Sequence, residues 1–415
     1  MDRSRTLFVT WDGPAQNYME ALFFPIFERA LREQIDIGVL QFTWASEEVR
    51  QRIGASAAKH GLEYRGSDAL RRPRQLAVPA MIAYGAARVI AEVDRGDWDT
   101  LMPRSIIPAS MCLLAMKARP HLRLVFDADG LMADERVDFA GWSPTGVQYR
   151  LFRDWEAQGV RRASSVIVRS AHAKRILASR AGAHCDPDKI HVIPNAKDDT
   201  LFSPGDAASR AKTREGMGID AEAPLLIYAG SLGPQYHPLG MLQLFERVHA
   251  LDPRARFLIL SGMQEVAREL LPRIDKAARE NVIIHRCASH EVAPLMAAAD
   301  LGLSLRQPSF SQQAVCPIKI AEYLLCGLSV VMLRGVGDLD ERLADSPALR
   351  TLEQVSPESL EQAARWCVED VMPARADIRE VSRQAGLDHF RLDDCADQLA
   401  ALLMPPRSHT PRKTS

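Results

Sequence analysis

Lys319 and Glu322 stand three residues apart in FSQQAVCPIKIAEYLLCGLSVV (310–331), a run otherwise dominated by apolar and small residues. On a helix that spacing puts both charges on one face. Such a pair is either the solvated edge of an amphipathic helix or a ligand contact, and the spacing leaves both open. Pro317 fits the first helical turn and Gly327 the helix end. A first-turn lysine opposes the helix dipole, and it becomes favourable when an anion sits in front of it. YAGSLGPQYHP (228–238) supplies a complementary feature. A strand ending in glycines and entering a helix near Leu239 presents backbone N–H groups at a helix N-terminus, which suits a phosphate or serves as a plain turn. In the first half, Asp127 and Asp129 end LRLVFDADG (122–130). Their DxD spacing raises a metal site as one reading. Gly130 lets the chain turn sharply, which favours Asp129 for substrate contact or catalytic help. Glu135, Arg104 and the DGPAQN loop (12–17) lie on the same predicted rim and read first as structural or solvent-facing.

Positioning these residues requires strands. TLFVT (6–10), IGVLQFTW (37–44), TLM (100–102), LRLVFDADG, SSVIVRS (164–170) and KIHVIPNA (189–196) alternate with helical patterns. The polar, turn-rich stretch 197–223 is the best linker candidate. After it the alternation restarts with PLLIYAG, ARFLILSG, NVIIHRC, ADLGLSL and LSVVML. Two successive βαβα series predict an α/β protein with two Rossmann-like, doubly wound parallel sheets, each with its ligand edge at the carboxyl ends of its strands. The cleft between them is then the expected active site. The predicted domains are 1–200 and 201–385, with a helical segment 386–404 and a disordered tail 405–415.

A 47% hydrophobic and 25% charged composition over 415 residues supports two full cores, and a net charge of −1 excludes a global field that would gather nucleic acid. The seven cysteines include no CxxC pair and read as free thiols of a reducing compartment. With no apolar signal segment and no spanning-length apolar run, the expectation is a cytoplasmic protein. No GxGxxG follows TLFVT, which disfavours a dehydrogenase. Arg71, Arg72 and Arg74 precede an apolar, small-residue helix, an arrangement that fits either an anionic lipid surface or a core helix with a charged entry loop.

The ordered set VIPNAKDDTLFSP, LLIYAGSLGPQ, HEVAPLMAAADLGLSL and PIKIAEYLLCGLSVV resembles the retaining nucleotide-sugar glycosyltransferases of family 4. The resemblance is good over 189–332, and FDADGLMADERVDFAGW (126–142) together with the following helix resembles the acceptor domain of that family. It implies the GT-B fold, two Rossmann-like domains facing a cleft with the C-terminal helix crossing back to the first. The first domain would bind an acceptor and the second a UDP- or GDP-sugar, which is a substrate, so no cofactor and no metal are implied. Glu322 matches the second glutamate of the family's EX7E motif, which holds the donor's ribose hydroxyls. Gly230, Ser231 and Gly233 match the turn approaching the donor diphosphate, and backbone groups around Cys287 match the nucleobase border. Ser311, Gln312 and Gln313 occupy the loop where the donor sugar would lie, or an ordinary polar loop. The sequence departs from the pattern at Ala314, where the first EX7E glutamate is expected, at Ser231 in place of an arginine, and at Tyr236 or His237 in place of a lysine. In a subgroup with GSLG and PxKxxEY motifs, Lys319 would supply the missing cation and, with Asp129, be the catalytic candidate. The family also implies a glycan acceptor, lipid-linked in many relatives that build bacterial surface polysaccharide or glycolipid, and with it a peripheral contact at the inner face of the membrane through Arg71, Arg72 and Arg74. The competing readings are a non-catalytic GT-B binding or scaffold protein and a nucleotide-sugar epimerase. The epimerase would need paired carboxylates that Ala314 does not provide.

Overall fold

A computed structural model describes residues 4–14, 18–33, 35–70 and 77–405. Arg71, Arg72, Arg74 and the expected tail beyond residue 405 lie outside the described residues. The first sheet comprises β1 (Ser4–Asp12), β2 (Ile35–Thr43), β3 (Glu63–Asp68), β4 (Thr100–Pro103), β5 (Arg123–Asp129), β6 (Ser165–Val168) and β7 (Ile190–Val192). All pairs are parallel, in the order β3-β2-β1-β4-β5-β6-β7. The second comprises β8 (Leu225–Ala229), β9 (Arg256–Leu260), β10 (Val282–His285), β11 (Leu301–Ser304), β12 (Ser329–Leu333) and β13 (Leu349–Leu352), parallel in the order β10-β9-β8-β11-β12-β13. Helices cover both faces, so central strands such as LLIYA and SVVML are buried at every residue, which is why they are continuous apolar runs. Strand order reverses between β1 and β4 and again between β8 and β11, and ligand crevices open at such switch points.

Two strands lie outside the sequence reading. EYRGSD (β3) is mostly exposed and LRTL (β13) half-buried, because each is the edge of its sheet and needs no apolar run. The predicted linker also requires correction. Residues 197–223 contain a helix, Ala207–Gly216, capped by Asp206, whose carboxylate accepts from the Ser209 N–H at 2.6 Å. Its arginines look solvent-seeking in sequence, yet Arg214 is 1% exposed and shares the buried carboxylate of Asp300 with Arg210 and Arg375.

After the helix Arg375–Phe390 the chain turns into a last helix, Leu392–Leu403, which packs on the first domain. Its Leu392, Ala396, Leu399 and Leu403 join one apolar cluster with Phe8, Phe24 and Phe27. The carbonyl of Leu403 accepts from Ser4 Oγ at 2.8 Å, and Arg123 donates to the carbonyls of Leu402, Leu403 and Met404. No helix among the described residues is long and apolar enough to cross a membrane.

Candidate active site

The second domain's wall of the cleft starts where β8 ends. The Gly230 N–H donates to the Leu260 carbonyl at 2.9 Å, which keeps the loop against β9. Ser231 is exposed; its carbonyl accepts from the Tyr228 hydroxyl, and its Oγ accepts from the Gly233 N–H at 3.3 Å and donates to Met263 Sδ at 3.2 Å. The helix Pro238–Leu251 follows, with proline in its first turn and no side chain capping its N-terminus.

Beside this loop, two residues past β11, stands Arg306, which sequence reasoning missed. Tyr236 and Arg306 form an isolated antiparallel bridge. The guanidinium donates to Gln235 Oε1 at 2.8 Å, to the Tyr236 hydroxyl at 3.2 Å and to Gln312 Oε1, and it lies 5.3 Å from the Tyr236 ring centroid. In LRQPSF it reads as a loop arginine. Its signal is position, at the carboxyl end of the strand facing β8 across the switch point.

Glu322 lies at the centre of a buried ion-pair group. It is 3% exposed, so it is no solvated edge, and its two oxygens are taken by two lysines. Lys319 Nζ lies 2.7 Å from Oε2 and Lys197 Nζ 3.0 Å from Oε1. Burial pushes the Glu322 carboxyl up, but Lys319 and Lys197 outweigh it and hold the carboxyl below its ordinary value. Lys197 is also buried and donates to the Ala21 carbonyl at 2.9 Å, so the first domain reaches into the pair. Pro317 sits just before the helix Ile318–Leu325 rather than in its first turn, and Gly327 closes that helix at φ +77°, where glycine is required. Lys319 remains about one-third exposed. Cys287 lies close enough to feel its charge. Burial and Glu291 push the Cys287 thiol up against that pull.

Ser311, Gln312 and Gln313 form a single tight turn, Ser311–Ala314, docked on the first domain. Ser311 and Gln312 are buried, with the Ser311 N–H and Ser309 Oγ donating to Asp138 at 2.9 and 2.7 Å. The Gln313 carbonyl accepts from Ser170 Oγ at 2.6 Å, and its amide bonds back to Phe310. Ala314 is 0% exposed and joins the apolar core of the first domain, so a glutamate there would point into that core. Across the same seam Asp338 accepts from the Ala171 N–H at 2.8 Å, Asn195 donates to the Cys316 carbonyl at 2.7 Å, and Gln235 donates to Glu135 at 2.6 Å. The two domains are thus fastened around the cleft.

The first domain's wall is the carboxyl edge of β1, β4 and β5. Asp127 is 0% exposed and accepts two bonds from Arg169, at 2.6 and 2.7 Å, with Arg104 at 3.5 Å. Asp129 takes a left-handed backbone, φ +59°, and its half-open carboxylate meets Arg104 at 3.0 Å. Aspartate tolerates that conformation, and the turn aims its side chain along the wall. Asp12, at the end of β1, completes the group. Burial pushes its carboxyl up, against the hydroxyl bond from Thr10 and the charge of Arg104. Tyr18, whose ring lies 5.4 Å from the Arg104 guanidinium, stands where Tyr236 and Arg306 also act on its phenol. Tyr18 thus feels Asp129 and Arg104 of the first wall together with Tyr236 and Arg306 of the second, while Lys319, Glu322 and Cys287 form a second group.

Residues 27–201 match the model of Glycosyltransferase Family 4. Two curated relatives, D-inositol 3-phosphate glycosyltransferases of Stackebrandtia nassauensis and Segniliparus rotundus, are 26% and 27% identical over 205 and 301 residues. Those alignments take in 46% and 69% of this chain but 43% and 62% of the relatives, so the chain spans less than two-thirds of either. The structure of Anabaena HepE in complex with UDP superposes with a TM-score of 0.73 over 96% of this chain and 99% of that one, at 19% identity. The fold is GT-B, as the two sheets and the returning C-terminal helix require.

Proposed function

We propose that this chain is a glycosyltransferase that moves a sugar from an NDP-sugar, held by the second domain, to a hydroxyl of an acceptor held by the first. The observation that carries the reading is the pairing of two switch-point edges across one closed cleft, one rich in carboxylates and one rich in cations. The likeness to family 4 and to a UDP-bound GT-B protein supports it. In this reading the acceptor oxygen bonds the anomeric carbon as the bond to the diphosphate breaks. The electron pair stays on the diphosphate, which takes the hydroxyl proton, and backbone N–H groups of Gly230–Gly233 with Lys319 stabilise it. The sugar keeps its anomeric configuration and no metal is required. Glu322 organises Lys319 and the ribose end, the backbone around Cys287 borders the base, and Asp129 orients the acceptor. The Ser311–Gln313 turn shapes the sugar pocket through its docked backbone. The acceptor is a glycan or glycolipid of surface-polymer synthesis, met at the inner face of the membrane by a cytoplasmic protein.

A thermal-shift screen over UDP- and GDP-sugars, followed by product analysis with candidate acceptors, tests this. A stabilising donor and diphosphate release with chelator present are expected. Donor binding without transfer or hydrolysis would leave the scaffold reading instead.

A further inference from the structure

Arg306 differs from the other arginines along the cleft in what answers its charge. Arg104, Arg169 and Arg180 each meet a carboxylate within 3.0 Å. Among the described residues no carboxylate lies within ion-pair distance of Arg306, whose three partners, Gln235, Tyr236 and Gln312, are neutral. Its Nε, Nη1 and Nη2 each donate once to these neutral acceptors, which leaves the second hydrogens of Nη1 and Nη2, a planar pair of the geometry that takes two phosphate oxygens. The uncapped N-terminus of the 14-residue helix Pro238–Leu251 begins beside it and adds N–H groups and a positive dipole end. The amide nitrogen of Gln312, fully buried next to the same guanidinium, has no hydrogen-bond partner in the structure.

Gln235 gives this cation a second property. Its amide oxygen accepts from Arg306 while its amide nitrogen donates to Glu135 Oε1 at 2.6 Å, and Glu135 belongs to the opposite domain. The carboxylate fixes which end of the amide faces the arginine. Without Glu135 the amide is free to flip and turn an NH2 towards Arg306, which would repel the guanidinium.

We propose that Arg306 joins Lys319 in receiving the donor's diphosphate, standing in for the cations absent at Ser231 and at Tyr236 or His237, and that Glu135 sets it through Gln235 only when the domains are closed. This rests on the donor reading above. Arg306 is the phosphate contact, and Glu135 and Gln235 are positioning residues.

Calorimetric titration of the full chain with UDP, GDP, UMP and inorganic pyrophosphate tests the proposal, using the wild type, Arg306→Ala, Arg306→Lys, Glu135→Ala and Glu135→Gln. Arg306→Ala weakens pyrophosphate and the preferred nucleoside diphosphate by about tenfold to a hundredfold, the range for a charge-assisted contact, and leaves UMP within about twofold. Arg306→Lys recovers part of the loss and guards against a folding defect in the alanine variant. Glu135→Ala weakens the same two ligands by about threefold to tenfold, and Glu135→Gln, which keeps an acceptor for the Gln235 amide, restores them. Unchanged diphosphate affinity in Arg306→Ala overturns the assignment while leaving the donor reading intact. Pyrophosphate binding that depends on Arg306, without binding of UDP or GDP, upholds the anion site and removes the donor reading. Absence of binding to every probe in the wild type overturns both. Equal losses in Glu135→Ala and Glu135→Gln overturn the positioning role.

Discussion

The two walls of the cleft carry similar numbers of charged side chains and use them in opposite ways. On the first domain, Asp12, Asp127 and Asp129 surround Arg104 and Arg169, three carboxylates against two guanidinium groups that neutralise one another inside the protein. On the second, Lys319 shares the Glu322 carboxylate with Lys197 of the first domain, and Arg306 is answered only by amides and a tyrosine. Charges already matched by neighbours hold shape, and charges left unmatched attract ligands of opposite sign. The contrast matches the proposed substrates, which set a phosphorylated donor against the second wall and a hydroxyl-bearing acceptor against the first.

The largest effect that would break this contrast is at Asp127. Asp127→Asn leaves Arg169 buried without its carboxylate and costs about 3–5 kcal/mol of unfolding free energy, read from urea denaturation. A loss below about 1 kcal/mol would mean that the first wall is not internally neutralised. Next comes Lys197→Ala, which removes one of the two cations on Glu322 and costs about 1–2 kcal/mol at neutral pH. Because Glu322 is held below its ordinary value of 4.5, it adds stability above that pH, and the contribution fades as acid titrates through the lower folded value. In the variant, where burial is opposed by Lys319 alone, the acid limb of the stability curve should begin at higher pH, and an unmoved limb would show that Lys197 is not coupled to Glu322. The smallest effect on folding is at Asp129. Its carboxylate is half-open, so Asp129→Asn should change stability by less than about 1 kcal/mol. It should raise the acceptor KM and leave donor affinity untouched, and a donor defect instead would blur the division between the walls.

The sequence discloses what burial on both faces demands and conceals what pairing across the chain accomplishes. LLIYA and SVVML announce themselves because a strand covered by helices on both sides must be apolar throughout. EYRGSD and LRTL do not, since edge strands escape that demand. The helix Ala207–Gly216 passes for a linker because its arginines spend their charge on Asp300, far along the chain. Glu322 and Lys319 are visible as chemistry from their spacing, but Lys197 enters only through the fold. Arg306 is hidden for the same reason, its role being set by a strand end and by Glu135 acting through Gln235 rather than by any local pattern. Ala314, read as a missing glutamate, sits in a turn pressed into the other domain, where the family's carboxylate would have no room.

The helix Leu392–Leu403 has a consequence for the order of assembly. Phe8, Phe24 and Phe27 emerge early in synthesis, yet their apolar cover is translated only after β13, the last strand among the described residues. A domain that would ordinarily fold first on the ribosome must wait with an open apolar flank while its successor is built, so the molecule is sealed from its far end.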